Sequence, residues 1–192
     1  MPPKVKITKE DIIKTSLELV RRNGTNALNA RAVASELNCS TQPMFSNFVT
    51  MDDLQKAVCE AAYETYLDFI KIELASGKYP QYKSFGMAYI RFAKEEKELF
   101  KLLFMRDRTD EDITPPSDFE ESVQMIMKAN GVSEEVAYLI HLELWSCVHG
   151  IGTMLATSFL SLEWELISDM LTDVYQGVRA RYVEKENNNG SN

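Results

Sequence analysis

The sequence predicts an all-α protein of about nine helices. Apolar residues recur with helical period along most of the 192 residues. Proline and glycine are scarce inside the long segments. Strict apolar–polar alternation, the mark of a half-buried strand, is rare.

The first helix is expected from Thr8, an N-cap with Asp11 three residues on in a capping-box relation. Ile12, Ser16, Leu19 and Val20 then fall on one face. Asn23-Gly24 ends it, with Gly24 as a left-handed C-cap. A second, short helix spans about Ala30 to Leu37, and Asn38 follows as a residue tolerant of positive φ. A third starts at Ser40 as N-cap. Pro43 at its third helical position lacks the N–H that would have no intrahelical partner there, so Ser40 is expected to cap through the N–H of Gln42. Thr50 caps a fourth helix, from Met51 past Tyr66, with Asp52 and Asp53 facing its positive end. Further helices are expected at about 81–93, 95–106, 118–129, 133–159 and 162–184. "TDEDITPPSD" (109–118) reads as a loop and Ser133 as an N-cap. The tail 186–192 has no apolar residue and reads as disordered. The chain divides into an N-terminal domain at 1–54, a C-terminal helical domain at 55–185 and this tail.

Composition is that of a globular protein, 45% hydrophobic and 26% charged. No apolar run approaches the roughly 18 residues that span a bilayer, and the start lacks the apolar core of a signal peptide. Three dispersed cysteines are a poor disulfide framework. A cytoplasmic protein with no membrane partner is expected. Net charge is −8, but it is unevenly placed. Residues 1–50 carry seven basic and four acidic side chains, a net +3, and the remainder carries −11. A basic end on an acidic body points to a module facing nucleic acid.

Two short helices joined by a tight turn and packed on a preceding helix form a helix-turn-helix, whose second helix fits the major groove. The unit needs a small residue where the helices approach, a residue tolerant of positive φ in the turn, and an apolar anchor on the second helix. Ala34, Asn38 and Met44 meet these needs. Met44 and Phe48, at i and i+4, face inward. Thr41, Gln42, Phe45 and Asn47 face outward, toward phosphates and thymine methyls.

From Ile7 to Leu54 the sequence resembles the DNA-binding domain of the tetracycline-repressor (TetR-like) family of transcription regulators. Ser16, Asn23-Gly24, Arg31, Ala34, Phe45 and Phe48 carry the likeness, and no gap is needed. "KELFKLLFMRDR" (97–108) and "LWSCVHGIGTM" (144–154) resemble a subgroup with a Trp-x-x-x-His-Gly signature, here Trp145, His149 and Gly150. The resemblance implies an N-terminal helix-turn-helix domain and a C-terminal domain for ligand binding and dimerisation. It places Asn29, Arg31, Ser40, Thr41, Gln42, Phe45, Asn47, Thr50 and Lys56 at a double-stranded DNA operator. The chain departs from the family at three places. Phe45 stands for a tyrosine, Asn47 for a histidine and Met51 for a lysine. Two phosphate contacts are thereby lost. Moderate, strongly salt-sensitive binding is expected, leaning on Lys4, Lys6, Lys9, Arg31 and Lys56.

Pockets between the helices of bundles are apolar with few polar groups. Tyr66, Phe69, Tyr89, Phe104, Trp145 and His149 are the candidate lining for a small, largely apolar ligand. His149 reads either as hydrogen-bonded in the core or as cavity lining. His141 and His149 are eight residues apart, about 12 Å along a helix, too far to share a metal ion unaided. Neither a metal nor a cofactor is expected. Leu155, Phe159, Leu162, Leu166, Met170 and Val174 lie on the last two helices, which resemble the family's dimer-forming pair; the alternative is that they complete the monomer core. No nucleophile–base–orienter set or glycine-rich phosphate loop is present, so an enzyme is not expected. The leading expectation is a ligand-responsive transcription regulator, a repressor released from its operator. The alternative is a helical ligand-binding or scaffold protein that kept the fold with weakened DNA binding.

Overall fold

The computed structural model describes residues 7–107, 109 and 117–189. Among them nine α-helices follow one another, with one short 3-10 turn (Thr25–Ala27) and no strand. They are α1 (Lys9–Asn23), α2 (Ala30–Glu36), α3 (Gln42–Asn47), α4 (Met51–Ser76), α5 (Gln81–Glu95), α6 (Lys97–Phe104), α7 (Ser117–Asn130), α8 (Glu134–Ala156) and α9 (Trp164–Asn189). The loop expected at 109–118 lies largely outside the described residues. No helix among those described is long and apolar enough to cross a membrane.

Contacts divide the chain into two compact units. The first combines the chain up to Asp68 with Glu95–Arg106; the second combines Phe69–Lys94 with Asp107 onward. The division differs from a single break after residue 54. About two thirds of α4, up to Asp68, belongs with the N-terminal helices, and so does α6, which packs on α1.

In the first unit α1 is the central element, packing on α2, α3 and α6. Its start is the expected capping box. Thr8 Oγ1 accepts from the Asp11 N–H at 3.1 Å, and the Thr8 N–H donates to the Asp11 carboxylate at 2.9 Å. The Thr8 N–H and hydroxyl both donate to the Asp11 carboxylate at 2.9 Å and hold it below its usual range. Its inward face is the expected Ile12, Ser16, Leu19 and Val20. The end differs in kind. Gly24 has φ +77° and ψ 172°, an extended positive-φ conformation that only glycine adopts readily, not the left-handed helical one. Its N–H still closes the helix on the Val20 carbonyl at 2.7 Å.

Ser16 is fully buried and its hydroxyl has no hydrogen-bond partner. An unpaired buried hydroxyl costs more than the methyl that could replace it. Ser16→Ala is expected to raise the unfolding free energy by about 1 kcal/mol. A urea titration in which the variant unfolds at lower denaturant than the parent would contradict this.

In the second unit α7, α8 and α9 pack as neighbours. Val123 and Ile126 of α7 meet Ala137, Ile140 and Leu144 of α8, with Val132 from the intervening turn. Ser133 caps α8, accepting from the Val136 N–H as expected. α8 ends sooner than expected, at Ala156, where Ser158 takes φ +57°. α9 runs to Asn189, so four residues of the segment 186–192 expected to be disordered are helical. Adding one residue to an existing helix gains a hydrogen bond without a new nucleus, which outweighs the weak helix propensity of Asn187, Asn188 and Asn189. Residues 190–192 lie outside the described residues.

Candidate nucleic-acid interface and aromatic cluster

The helix-turn-helix is built as its spacing requires. Asn29 caps α2, its side-chain oxygen accepting from the Ala32 N–H at 3.0 Å. Val33 and Ala34 are buried against the unit. Asn38 takes φ +51° in the turn, and the Cys39 N–H closes the turn on the Ala34 carbonyl at 2.9 Å. Met44 and Phe48 are 1% and 6% exposed, so they pin α3 inward as their i, i+4 spacing predicts. The Lys9 ammonium sits over the Phe48 ring at 5.2 Å.

The start of α3 corrects the expected cap. Ser40 does not cap it. The helix begins at Gln42 after Thr41, which has helical dihedrals and makes no side-chain capping bond. Pro43 therefore stands at the second helical position, not the third. A capping side chain bonds the N–H of the second or third residue, and Pro43 removes the second.

The proposed DNA-contacting set lies on the surface. Asn29, Arg31, Ser40, Gln42, Phe45, Asn47, Thr50 and Lys56 are exposed, and Thr41 is half-buried. Their polar groups are not equally available. Asn47 Nδ2 donates to the Pro43 carbonyl at 2.8 Å, and Ser46 Oγ donates to the Gln42 carbonyl at 2.9 Å. Thr50 and Asp53 form a second capping box at the start of α4, with the Thr50 hydroxyl and N–H each 2.9 Å from the Asp53 carboxylate. Those bonds hold the Asp53 carboxyl below its usual range, with a smaller contribution from Lys56. Among the described residues Arg31 makes no ion pair and Gln42 no side-chain hydrogen bond. The Thr50-x-x-Asp53 box has the same spacing as Thr8-x-x-Asp11, and that signal was available in the sequence.

The first unit also holds an ionic contact that sequence reasoning missed. Arg21 Nε of α1 donates to Glu96 Oε2 at 2.8 Å, and Arg21 pairs with Glu18 one turn earlier. Tyr66 is buried and meets Phe104 edge-on at 5.5 Å between ring centroids.

The other ligand-lining candidates belong to the second unit. His149 of α8 stacks on Trp145 at 5.1 Å, with ring planes 12° apart. Its Nδ1 lies 2.8 Å from the Tyr89 hydroxyl on α5, and burial lowers its pKa. His149 is thus hydrogen-bonded but only half-buried, which leaves both readings of its sequence open. Trp145 keeps 40% of its surface exposed. Phe69 packs edge-on against Phe92 at 5.4 Å. One turn before Trp145, His141 is buried with Nδ1 3.0 Å from the Tyr82 hydroxyl, and the Phe119 ring stands edge-on to it at 4.3 Å. Burial pushes its pKa down to about 4. Arg91 pairs with the buried Glu73 at 3.2 Å and lies over the Trp164 ring. No local pattern announces that pair, which joins α4, α5 and the start of α9.

Of the six residues expected at a dimer interface, Leu155 is buried within its own unit, and Val174 packs against the α7–α8 core. Leu162 and Met170 are half-buried, and Phe159 and Leu166 are exposed at 74% and 50%. Leu155 points inward because it continues the face of Ile140, Leu144, Val148 and Ile151, which are all buried.

Residues 82–174 match the family model described as the tetracyclin repressor-like C-terminal domain. No curated protein matches the chain in sequence. Among solved structures, a TetR-family member from Streptomyces coelicolor A3 is similar, with a TM-score of 0.61 at 16% identity, covering 86% of this chain and 96% of that one. A protein of unknown function from Rhodococcus sp. RHA1 is similar at TM-score 0.64 and 15% identity, covering 96% and 97%. The chain thus has an all-helical fold similar to that of a TetR-family protein, with residues 82–174 similar to the tetracyclin repressor-like C-terminal domain.

Proposed function

We propose that this chain is a TetR-like transcription regulator, of the Trp-x-x-x-His-Gly subgroup, that binds double-stranded DNA as a homodimer in the cytoplasm. The observation that carries the reading is α3 itself. Met44 and Phe48 fix its inner face, leaving Gln42 and Phe45 exposed, and Arg31 of α2 is exposed as well. A short helix held in this way fits the major groove, and a second copy is needed to read a second half-site about one turn away. Phe159 and Leu166, with the half-buried Leu162 and Met170, are the apolar surface offered for pairing.

A repressor released by a small, largely apolar ligand is the fuller form of the proposal. The ligand would bind through the C-terminal aromatic residues, with Tyr89, Trp145 and His149 as its polar-edged group. It shifts DNA affinity only by its differential affinity for two conformers. α4, which contributes residues to both units, is the lever. The exposed Asp52 and Asp53 beside Met51 favour a second reading, a scaffold whose DNA binding has weakened.

Electrophoretic mobility shift with the DNA upstream of the protein's own gene, at low and high salt, tests the proposal. A specific retarded band that weakens steeply with salt is expected. No specific band even at low salt would favour the scaffold.

A further inference from the structure

Resting on the reading as a DNA-binding regulator, we infer that Gln42 and Phe45 together read an A·T pair and its thymine neighbour in each half-site, and that Ser46 and Asn47 do not read bases. Four residues of α3 are exposed: Gln42, Phe45, Ser46 and Asn47. Two of them have turned their polar groups back on their own helix. Ser46 Oγ donates to the Gln42 carbonyl, and Asn47 Nδ2 to the Pro43 carbonyl.

The consequence for Asn47 is specific. Reading adenine takes an amide that donates to N7 while accepting from the N6 amino group. Asn47 has its acceptor free, but one of its two N–H donors is engaged, which holds the amide against its own helix. Gln42 carries the same amide on a longer stem, exposed, with both halves open among the described residues. Phe45 follows three residues later, on the same face of the helix, and is 56% exposed. Its ring carries no hydrogen-bonding group. In the major groove the apolar feature available to such a ring is the thymine C5 methyl. α3 contains neither Arg nor Lys, the side chains that most often read guanine through O6 and N7. The helix therefore holds an adenine reader and a methyl reader and lacks a guanine reader.

Selection from a random duplex library with the full-length protein tests this. The parent is expected to enrich an A at one position of each half-site with a T beside it. Gln42→Ala should lose about five- to a hundredfold of the preference at the A position, the span of one bidentate contact, while other enriched positions persist. Gln42→Arg should move the preference there from A to G. Replacing the adjacent thymidine by deoxyuridine, which removes only the methyl, should weaken the parent severalfold and leave Phe45→Ala unaffected. Asn47→Ala should select the parental sequence. All four side chains are on the surface, and circular dichroism confirms that the variants are folded. If Gln42→Ala selects the parental A·T step unchanged, or Asn47→Ala loses it, the inference is overturned while the regulator reading stands. If the parent enriches no sequence, the regulator reading fails and the inference falls with it.

Discussion

Gly24→Ala is expected to cost roughly 1–3 kcal/mol of stability, mostly backbone strain, with a smaller part from displacing a neighbouring side chain. Gly24 holds φ +77° with an extended ψ, where a β-carbon meets its own backbone. That strain alone is about 1–3 kcal/mol. A β-carbon there would also stand 2.8 Å from Glu98 Oε2. Glu98 Oε2 is the end of a flexible side chain and can give way, at the cost of its half-exposed pair with Lys101, a pair of a kind worth at most about 1 kcal/mol. The conflict falls where α1 meets α6, close to the Arg21–Glu96 pair. Urea unfolding measured on Gly24→Ala and on Gly24→Ala with Glu98→Ala separates the two terms. The double variant should recover the steric part and keep the backbone part. A single variant within about 0.5 kcal/mol of the parent, the range of ordinary surface changes, would contradict this account of the turn.

The second large effect is on pH dependence. His141 is buried against Tyr82 and Phe119, and burial pushes its pKa from the ordinary 6.5 down to about 4. Burial also raises the Tyr82 phenol well above its usual range. Both partners are therefore neutral at pH 7. As pH falls below 6.5 the unfolded chain takes a proton on His141 and the folded chain does not. The unfolded state then binds more protons, so stability is present above pH 6.5 and is lost as pH falls toward 4. The loss from this site is roughly 2–3 kcal/mol. His149, also lowered by burial, acts in the same direction. Replacing His141 and Tyr82 together by Phe removes the titration without stranding the phenol. Stability of this variant should fall less steeply than the parent between pH 6.5 and 4.5. Parallel curves would show that His141 is protonated equally in both states.

What the sequence disclosed was the part of the molecule fixed by near neighbours. Thr8 and Asp11, Ser133, Asn38 and the buried face of α1 all follow from spacings of eight residues or fewer, where side chains and backbone meet regardless of the rest of the fold. The start of α3 was misplaced: Ser40 was expected to cap it, and the helix begins after Thr41 without a side-chain capping bond. Pro43 does not discriminate between the two starts, since it removes one of the two N–H groups a cap could bond in either case. Trp145 and His149 were readable as one stripe of α8, but Tyr89, sixty residues away, completes the cluster. Arg21 and Glu96, seventy-five residues apart, carry no signal in one sequence. For the same reason the boundary after residue 54 missed the place of α6 beside α1.

The central claim is that the exposed side of the helix-turn-helix meets a DNA duplex. Its most direct test is fluorescence anisotropy with the retarded upstream duplex, titrated at several salt concentrations with the parent and with Arg31→Ala. Arg31 is exposed and unpaired among the described residues, so it is free to meet a phosphate. The account predicts specific binding over a scrambled duplex, with the logarithm of affinity falling linearly with the logarithm of salt. Losing one phosphate contact should lower that slope by about 1 in Arg31→Ala. Equal affinity for the scrambled duplex, together with an unchanged slope in the variant, would contradict it.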